Sequence, residues 1–323
     1  MTRVGAVDCG TNSIRLLIAD VSEDGVVTDV LRRMEVVRLG QGVDTTGRIH
    51  PEALERTVTM AGEYARQCRE HGVQGVRFVA TSASRDASNA DEFTDGIHRV
   101  FADFDVTPEV VSGAEEAALS FRGATGGLLA GGWPTPYLVV DLGGGSTEFV
   151  RGGAAVGAAL STNIGCVRLT ERYAFSDPPT ADEITAARTD IEAALDEVET
   201  AVGFGGVATL VGLAGTVTTV TAQALGLDRY DSEIIHLSET GLEQTRQACR
   251  DLITMTRAQR AALPFMHPGR VDVIGAGALI WLSIIDRASG AVPTLRIVTS
   301  EHDILDGVAL SVAQRLTSPH PAE

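Results

Sequence analysis

Two short stretches place an acid, small residues and a hydroxyl at matching positions. They are VDCGTNSIRLLI over 7–18 and VDLGGGSTEFV over 140–150. Asp8 matches Asp141, Gly10 matches Gly143, and Ser13 matches Ser146. Each is an apolar run ending in Asp-x-Gly, then a turn of small residues, then an outgoing apolar run. Backbone N–H groups in such a turn can converge on phosphate oxygens without a cation, and glycine allows the close approach. Gly144, Gly145 and Ser146 are the candidate donors in one copy, Asn12 and Ser13 in the other. Gly215 and Thr216, in VGLAGTVTT, offer a third set.

The aspartates sit where a strand meets its turn. A carboxylate there can hold Mg²⁺, directly or through water, beside a phosphate; Glu148 lies further along the second loop. For one aspartate alone, capping its own turn is the plainer reading; for a facing pair, the metal is. In VSGAEEA, Ser112 and Glu115 have the spacing of a capping box. Glu116 then lies on another face of the helix. On residues alone an exposed surface glutamate is its plainer reading; polarising a water is its chemical one. Arg85, Arg15 and Arg270 follow loops or strand ends, where a guanidinium can grip phosphate.

Other chemistries fail on composition. The chain has no lysine, which excludes a Walker-type P-loop. A strand follows GGGSTE, which argues against a Rossmann turn. The four cysteines are scattered, with no CxxC, and no histidine spacing suggests a metal site. A formal net charge of −17 argues against a general nucleic-acid partner. The longest apolar run, 274–285, is too short to span a bilayer. The N-terminus enters a strand pattern without a basic-then-apolar leader, so a cytoplasmic protein is expected.

The elements that must position these groups alternate. Strands are expected over 3–10 and 13–21, then over VVTDVLRR after the Glu23-Asp24-Gly25 turn. Apolar Leu54, Val58, Ala61, Ala65 and Cys68 mark a helix from Pro51 to His71, stopped at Gly72. A strand over 76–81 leads into a polar-capped helix at TSASRDASNADEF. A strand over 106–113 leads into a helix at EEAALSF. The Gly/Pro-rich stretch 128–136 places a domain boundary nearby. Beyond it come strand–turn–strand, a capping box at Thr180–Glu183 opening a helix to about Val202, and strand, glycine turn and helix at 209–220. A buried helix, a strand (LRIVTS), a final helix and a frayed six-residue tail close the chain. The class is α/β, and the duplicated loop suggests two related halves.

Taken in order, VDCGTNSIRLL, ATSASRDASN, VSGAEEA and VVDLGGGSTE resemble the exopolyphosphatase and guanosine pentaphosphate phosphohydrolase (Ppx/GppA) family. VGLAGTVTT and HPGRVDVIGAGA resemble its later segments, so the likeness covers essentially the whole chain, in the short actinobacterial type. The resemblance implies an actin-like ATPase-superfamily fold of two RNase H-like domains around a cleft. They are expected over 1–124 and 125–323, with the last helix free to pack back on the first. It implies removal of a terminal phosphate from polyphosphate or from pppGpp, the stringent-response nucleotide. Mg²⁺ is the implied cofactor, with Mn²⁺ as substitute. By motif, Glu116 is the catalytic base, and Asp141 a catalytic or metal carboxylate in one acidic cluster with Asp8 and Glu148. Asn12, Ser13, Arg85, Gly144, Gly145 and Ser146 match phosphate-side positions.

One segment departs from the family pattern: SEHDILDG over 300–307 replaces the usual Arg-Glu-Gly helix start, so the resemblance implies no substrate contact from that segment. The chain also stops soon after it, which favours short polyphosphate or pppGpp over long chains. A homodimer is the expected oligomer. Two rivals stand beside the hydrolase: an actin-like ATPase or sugar kinase, and a sensor that binds pppGpp without turnover.

Overall fold

The computed structural model describes residues 1–317, so the frayed tail expected for the last six residues lies outside the described residues. The chain divides into two compact units. Unit 1 holds residues 1–123 and the helix beginning at Ile304; unit 2 holds Ala124–Asp303.

Unit 1 opens with the expected meander, β1 (Thr2–Cys9), β2 (Ser13–Val21) and β3 (Val27–Val36), each antiparallel to the next. Gly25, at φ +83°, makes the turn that leads into β3. Helix α1 (Pro51–Glu70) has Pro51 in its first turn and Gly72, at φ +65°, just past its end. Its buried face carries Ala53, Thr57, Ala61, Tyr64, Ala65 and Cys68, while Leu54 and Val58 are only half-buried. The contact face is therefore turned from the one the aliphatic spacing suggested. The phenol of Tyr64 turns it, being buried and donating to the Ile14 carbonyl at 3.1 Å. Strand β4 (Gly75–Ala80) then lies parallel to β1.

Two expectations in this unit are corrected. The segment after β4 forms two helices rather than one, α2 (Ser82–Asp86) and α3 (Ala90–Val100). The break falls at Asn89, whose amide side chain bonds both backbone groups of Ile49 instead of capping α3. The strand expected over 106–113 shrinks to β5 (Glu109–Val110), parallel to β4. Pro108, which has no N–H to give, stands directly before it. Helix α4 (Gly113–Ala130) follows. The division between units falls inside α4, at 123/124, shortly before the Gly/Pro-rich stretch.

Unit 2 repeats the plan. Strands β6 (Tyr137–Leu142), β7 (Thr147–Gly152) and β8 (Val156–Thr162) form a second meander. Helices α5 (Cys166–Tyr173) and α6 (Ala181–Ala201) follow, α6 opened by the full Thr180–Glu183 capping box. Then come β9 (Thr209–Leu213), parallel to β6, and helix α7 (Ala214–Leu225). Strand β10 (Ser238–Thr240), helices α8 (Leu242–Thr254) and α9 (Ile274–Ala291), and β11 (Arg296–Thr299) complete the unit.

The sheet orders are β3-β2-β1-β4-β5 and β8-β7-β6-β9-β11-β10. The second repeats the first and adds one edge strand. This is the α/β class expected above, in two halves of like strand order.

The long apolar run is the centre of unit 2's core. Residues 274–285 of α9 are buried all round, against α5, α6, α7 and α8. A helix apolar on every side needs such a surround. No helix among the described residues is long and apolar enough to cross a membrane. The final helix, α10 (Ile304–Thr317), packs on β1, β2 and β4 of unit 1 through Ile304, Leu305, Val308 and Val312. It thus leaves the 125–323 span and joins the first half, because its apolar face matches the sheet face that α1 does not cover.

Candidate active site

In unit 2 the GGG turn is built on the N-terminus of α5. The Cys166 amide donates to the Gly143 carbonyl at 3.1 Å. Val167 and Arg168 donate to Gly144 at 2.9 and 3.1 Å. The Arg168 Nε–H donates to the Gly145 carbonyl at 2.8 Å. Three consecutive carbonyls are thus taken by one helix end. In a planar trans peptide the next residue's N–H points opposite to the carbonyl. The amides of Gly144, Gly145 and Ser146 are therefore directed away from α5, as an anion nest requires. The Gly143 amide closes the turn onto the Ser146 carbonyl at 3.0 Å.

Asp141 and Glu148 face each other in register on β6 and β7, so their side chains share one sheet face about 5 Å apart. Both are buried, at 7% and 1% exposure. Ser161, the register partner of Glu148 on β8, donates its hydroxyl to Glu148 Oε1 at 2.7 Å. Two buried carboxylates at this spacing repel unless a cation or a proton joins them. Their hard oxygen donors, so placed, fit Mg²⁺. Among the described residues no three His, Cys, Asp or Glu side chains gather as metal ligands. Of the three carboxylates expected in one acidic cluster, Asp141 and Glu148 stand in unit 2 and Asp8 in unit 1.

Leu213 is the register partner of Asp141, so the N-terminus of α7 emerges beside the GGG turn at the same sheet edge. Ala214 there holds φ +67°, an uncommon conformation for a residue with a Cβ. Arg270 lies directly on Gly215: a Cβ at that glycine would come 2.5 Å from the guanidinium carbon. Arg270 also donates to Thr219 Oγ1 at 3.2 Å and lies over the Tyr230 ring at 5.9 Å. A fixed cation at the positive end of a helix is unfavourable unless an anion joins them. The Thr216 side chain packs against Gly277 and hydrogen-bonds the Cys166 thiol, which leaves its amide for a ligand. Glu301, from the divergent segment, accepts from the Tyr230 hydroxyl at 2.6 Å. Burial and the Glu301 charge push the Tyr230 phenol well up, so it stays a donor.

Unit 1 repeats the turn. The Gly10 amide donates to the Ser13 carbonyl at 3.0 Å, the same bond as in the other copy. The Thr11 and Asn12 carbonyls accept from Gly40, and from Val37 and Arg38, respectively. By the same peptide geometry the Asn12 and Ser13 amides are directed away from that support. Asp8, however, is the register partner of Arg15, whose guanidinium donates to Asp8 Oδ2 from Nε at 2.9 Å and a terminal nitrogen at 2.7 Å. Arg15, one of the candidate phosphate cations, thus pairs with Asp8.

The structure brings Arg85 and Glu116 together within unit 1. Arg85 donates to Glu116 Oε2 at 3.2 Å and to the Val111 carbonyl at 2.9 Å, tying α2 to the start of α4. The Glu116 residue is buried at 7% exposure, which corrects the surface reading. The capping box beside it is only half formed. The Glu115 amide bonds the Ser112 hydroxyl at 3.2 Å, but the Glu115 carboxylate pairs with buried Arg77 at 2.5 Å. Glu115 is tied to Arg77, and Glu116 is held by Arg85.

Sequence reasoning missed the supports of the two turns. A Cβ at Gly165 would lie 2.4 Å from the Gly144 oxygen, and one at Gly40 would lie 2.3 Å from a Thr11 methyl. Each glycine follows a buried aliphatic residue, Ile164 or Leu39, just after the third strand of its unit. That shared pattern was a readable signal. All four cysteines are buried, and burial pushes their thiols up, Cys68 to about 12, so none offers a thiolate at neutral pH.

Comparison with known proteins agrees with this geometry. Residues 17–312 match the Ppx/GppA phosphatase family. The chain is 49% identical over 318 residues to a Mycobacterium tuberculosis protein named exopolyphosphatase 2, covering 97% of this chain and 99% of that one. A crystal structure of an exopolyphosphatase-like protein superposes with a TM-score of 0.93 at 45% identity, covering 98% and 99%. The Aquifex aeolicus Ppx/GppA family member gives 0.80 at 30% identity, again covering 98% and 99%. On the family match, the near-complete coverage and the duplicated glycine turns, this chain belongs to the Ppx/GppA phosphatase family.

Proposed function

We propose that the protein is an exopolyphosphatase, releasing orthophosphate from the end of inorganic polyphosphate. The observation that carries this reading is the set of three amides aimed away from α5, beside a helix end that already bears Arg270. Such an arrangement suits a terminal phosphoryl group with its charge spread over several oxygens. pppGpp presents the same terminal anhydride and is the second substrate of the reading.

In unit 2, the amides of Gly144, Gly145 and Ser146, with Arg270 and the α7 amides of Gly215 and Thr216, bind and orient the phosphate. Asp141 and Glu148 would hold Mg²⁺, with Mn²⁺ as a substitute; when bound, the ion supplies positive charge against the phosphate oxygens. In unit 1, the Asn12 and Ser13 amides are phosphate donors, and Glu116 takes the proton of the attacking water at Oε1 or Oε2. The water oxygen forms a bond to the terminal phosphorus, and the anhydride P–O bond breaks with its electrons leaving on the shortened chain. Arg85 holds Glu116 in place and offers its guanidinium to phosphate charge. Asp8, already paired with Arg15, supports the first turn. A cytoplasmic homodimer belongs to the same reading.

The test measures orthophosphate release from short polyphosphate, long polyphosphate, pppGpp and ATP, with and without Mg²⁺. Release from polyphosphate that needs the metal supports the reading. Hydrolysis of ATP alone would return the kinase-like rival, and tight pppGpp binding without release would return the sensor.

A further inference from the structure

The phosphate turn owes its orientation to a residue that neither its motif nor its charge singled out. Arg168 holds two successive carbonyls of the turn. Its backbone amide donates to Gly144 at 3.1 Å, and its Nε–H donates to Gly145 at 2.8 Å. The other two bonds between α5 and the turn, from Cys166 and Val167, come from backbone amides alone. The peptide joining Gly145 to Ser146 is therefore the one whose carbonyl is held by a side chain. Glycine on its N-terminal side gives that peptide unusual freedom to rotate. Rotation by half a turn would bring the Gly145 carbonyl, an acceptor, to the face where Ser146 offers its N–H. An anion would then meet a negative dipole in place of a donor.

We infer that Arg168 is a positioning residue of the phosphate site, locking the Gly145–Ser146 peptide so that the Ser146 N–H faces the substrate. The inference rests on the exopolyphosphatase reading only for the identity of the substrate; the orientation of the turn is its own claim. The role belongs to the planar guanidinium. Its Nε–H is fixed in direction by the fork, whereas a lysine ammonium is a rotating, strongly hydrated point charge. Charge alone at position 168 would therefore not suffice.

The experiment compares wild type with R168K, R168Q and R168A. Pyrophosphate binding is measured by calorimetry and orthophosphate release from polyphosphate by steady-state kinetics. Melting temperature is followed throughout. All three variants are expected to bind pyrophosphate at least about tenfold more weakly, the effect of one charge-assisted bond. Their KM is expected to rise more than their kcat falls, since the lost donor serves ground state and transition state alike. Ethylguanidinium, filling the space left in R168A, is expected to restore binding, and ethylammonium is not.

Wild-type binding in R168Q and R168A would overturn the inference, as would full binding in R168K. So would losses that only track a lowered melting temperature. The binding readout stands even if wild type releases no phosphate from polyphosphate. That second failure would remove the exopolyphosphatase reading and leave the role of Arg168 decided separately.

Discussion

The two glycine turns are built alike and charged differently. Both close with the same 3.0 Å bond between the first glycine and a serine carbonyl. Both follow an aspartate one residue before the end of the first strand of the sheet's parallel pair, and both rest on a glycine at which a Cβ would clash. The register partner of that aspartate is Arg15 in unit 1 and Glu148 in unit 2. One residue therefore decides what each turn can recruit. Asp8 is paired with Arg15, whereas Asp141 faces a second carboxylate. A duplicated motif thus carries an acid–base pair in one unit and a pair of acids in the other, on the same turn.

The supports differ as well. The second turn rests on the N-terminus of α5, whose amides would otherwise lack partners. The first rests on an irregular segment, 37–40, in which Arg38 adopts φ +51°. A helix end is a stiffer seat, since each of its amides is fixed by the turn below. Unit 2 is accordingly expected to tolerate less at its seat than unit 1.

The comparison breaks first at its charge difference. Glu148→Arg gives unit 2 the pairing of unit 1, and calorimetry is expected to show divalent metal binding abolished. Activity should fall on the order of 10²-fold or more, the scale of losing one preorganised electrostatic contact in the transition state. Asp8→Asn is expected to leave metal affinity within about threefold, a difference worth under about 0.7 kcal/mol. Metal binding that survives the first change and fails in the second would invert the assignment.

A smaller effect tests the seats. Gly165→Ala forces a Cβ into the Gly144 carbonyl, where only backbone can yield. About 3 kcal/mol of destabilisation is expected, the upper end for overpacking. Gly40→Ala meets a threonine methyl instead, and about 1 kcal/mol is expected. Adding Thr11→Ser to Gly40→Ala should recover most of it in denaturant melts. Equal costs at the two glycines would remove the stiffness argument.

The smallest effect lies away from both turns. Arg77 bridges Glu109 and Glu115 and also bonds Ser311 on α10. Burial pushes the Glu109 carboxyl up, but bonds from Arg77 and Arg315 outweigh it and hold the group below the ordinary glutamate value of 4.5. A depressed carboxyl contributes stability above its unfolded pKa and loses it as pH falls through the folded one. Glu109→Gln is therefore expected to cost under about 1 kcal/mol at pH 7, since the pair is partly solvated. The gap to wild type should close below about pH 4.5 in melts across pH. A gap that stays constant into acid would show that the bridge contributes packing rather than charge.

Much of this was legible in the residues. The two Asp-x-Gly turns, the strands on either side of them and the buried helix at 274–291 are local patterns of strong periodicity. Glu116 was separated from Glu115 by one capping position, although half the box is absent and Arg77 does the holding. What stayed hidden were register and burial. Nothing in the spacing of Asp8 and Arg15, or of Asp141 and Glu148, says which residues stand opposite once a hairpin closes. Yet that pairing sets Asp8 against a guanidinium and Asp141 against a carboxylate. Gly40, Gly165 and Arg168 lie more than 20 residues from the turn residues they touch, Thr11, Gly144 and Gly145. The segment after β4 divided because Asn89 found partners at Ile49, a contact that no local window contains.

The account stands most directly on Glu116, and its neighbour supplies the control. Orthophosphate release from polyphosphate is compared for wild type, Glu116→Gln and Glu115→Gln, beside their melting temperatures. Glu116→Gln is expected to lower kcat on the order of 10²–10⁴-fold, as for loss of a general base, with little change in melting. Glu115→Gln is expected to keep its turnover and melt lower. Wild-type turnover in Glu116→Gln would contradict the assignment of the base.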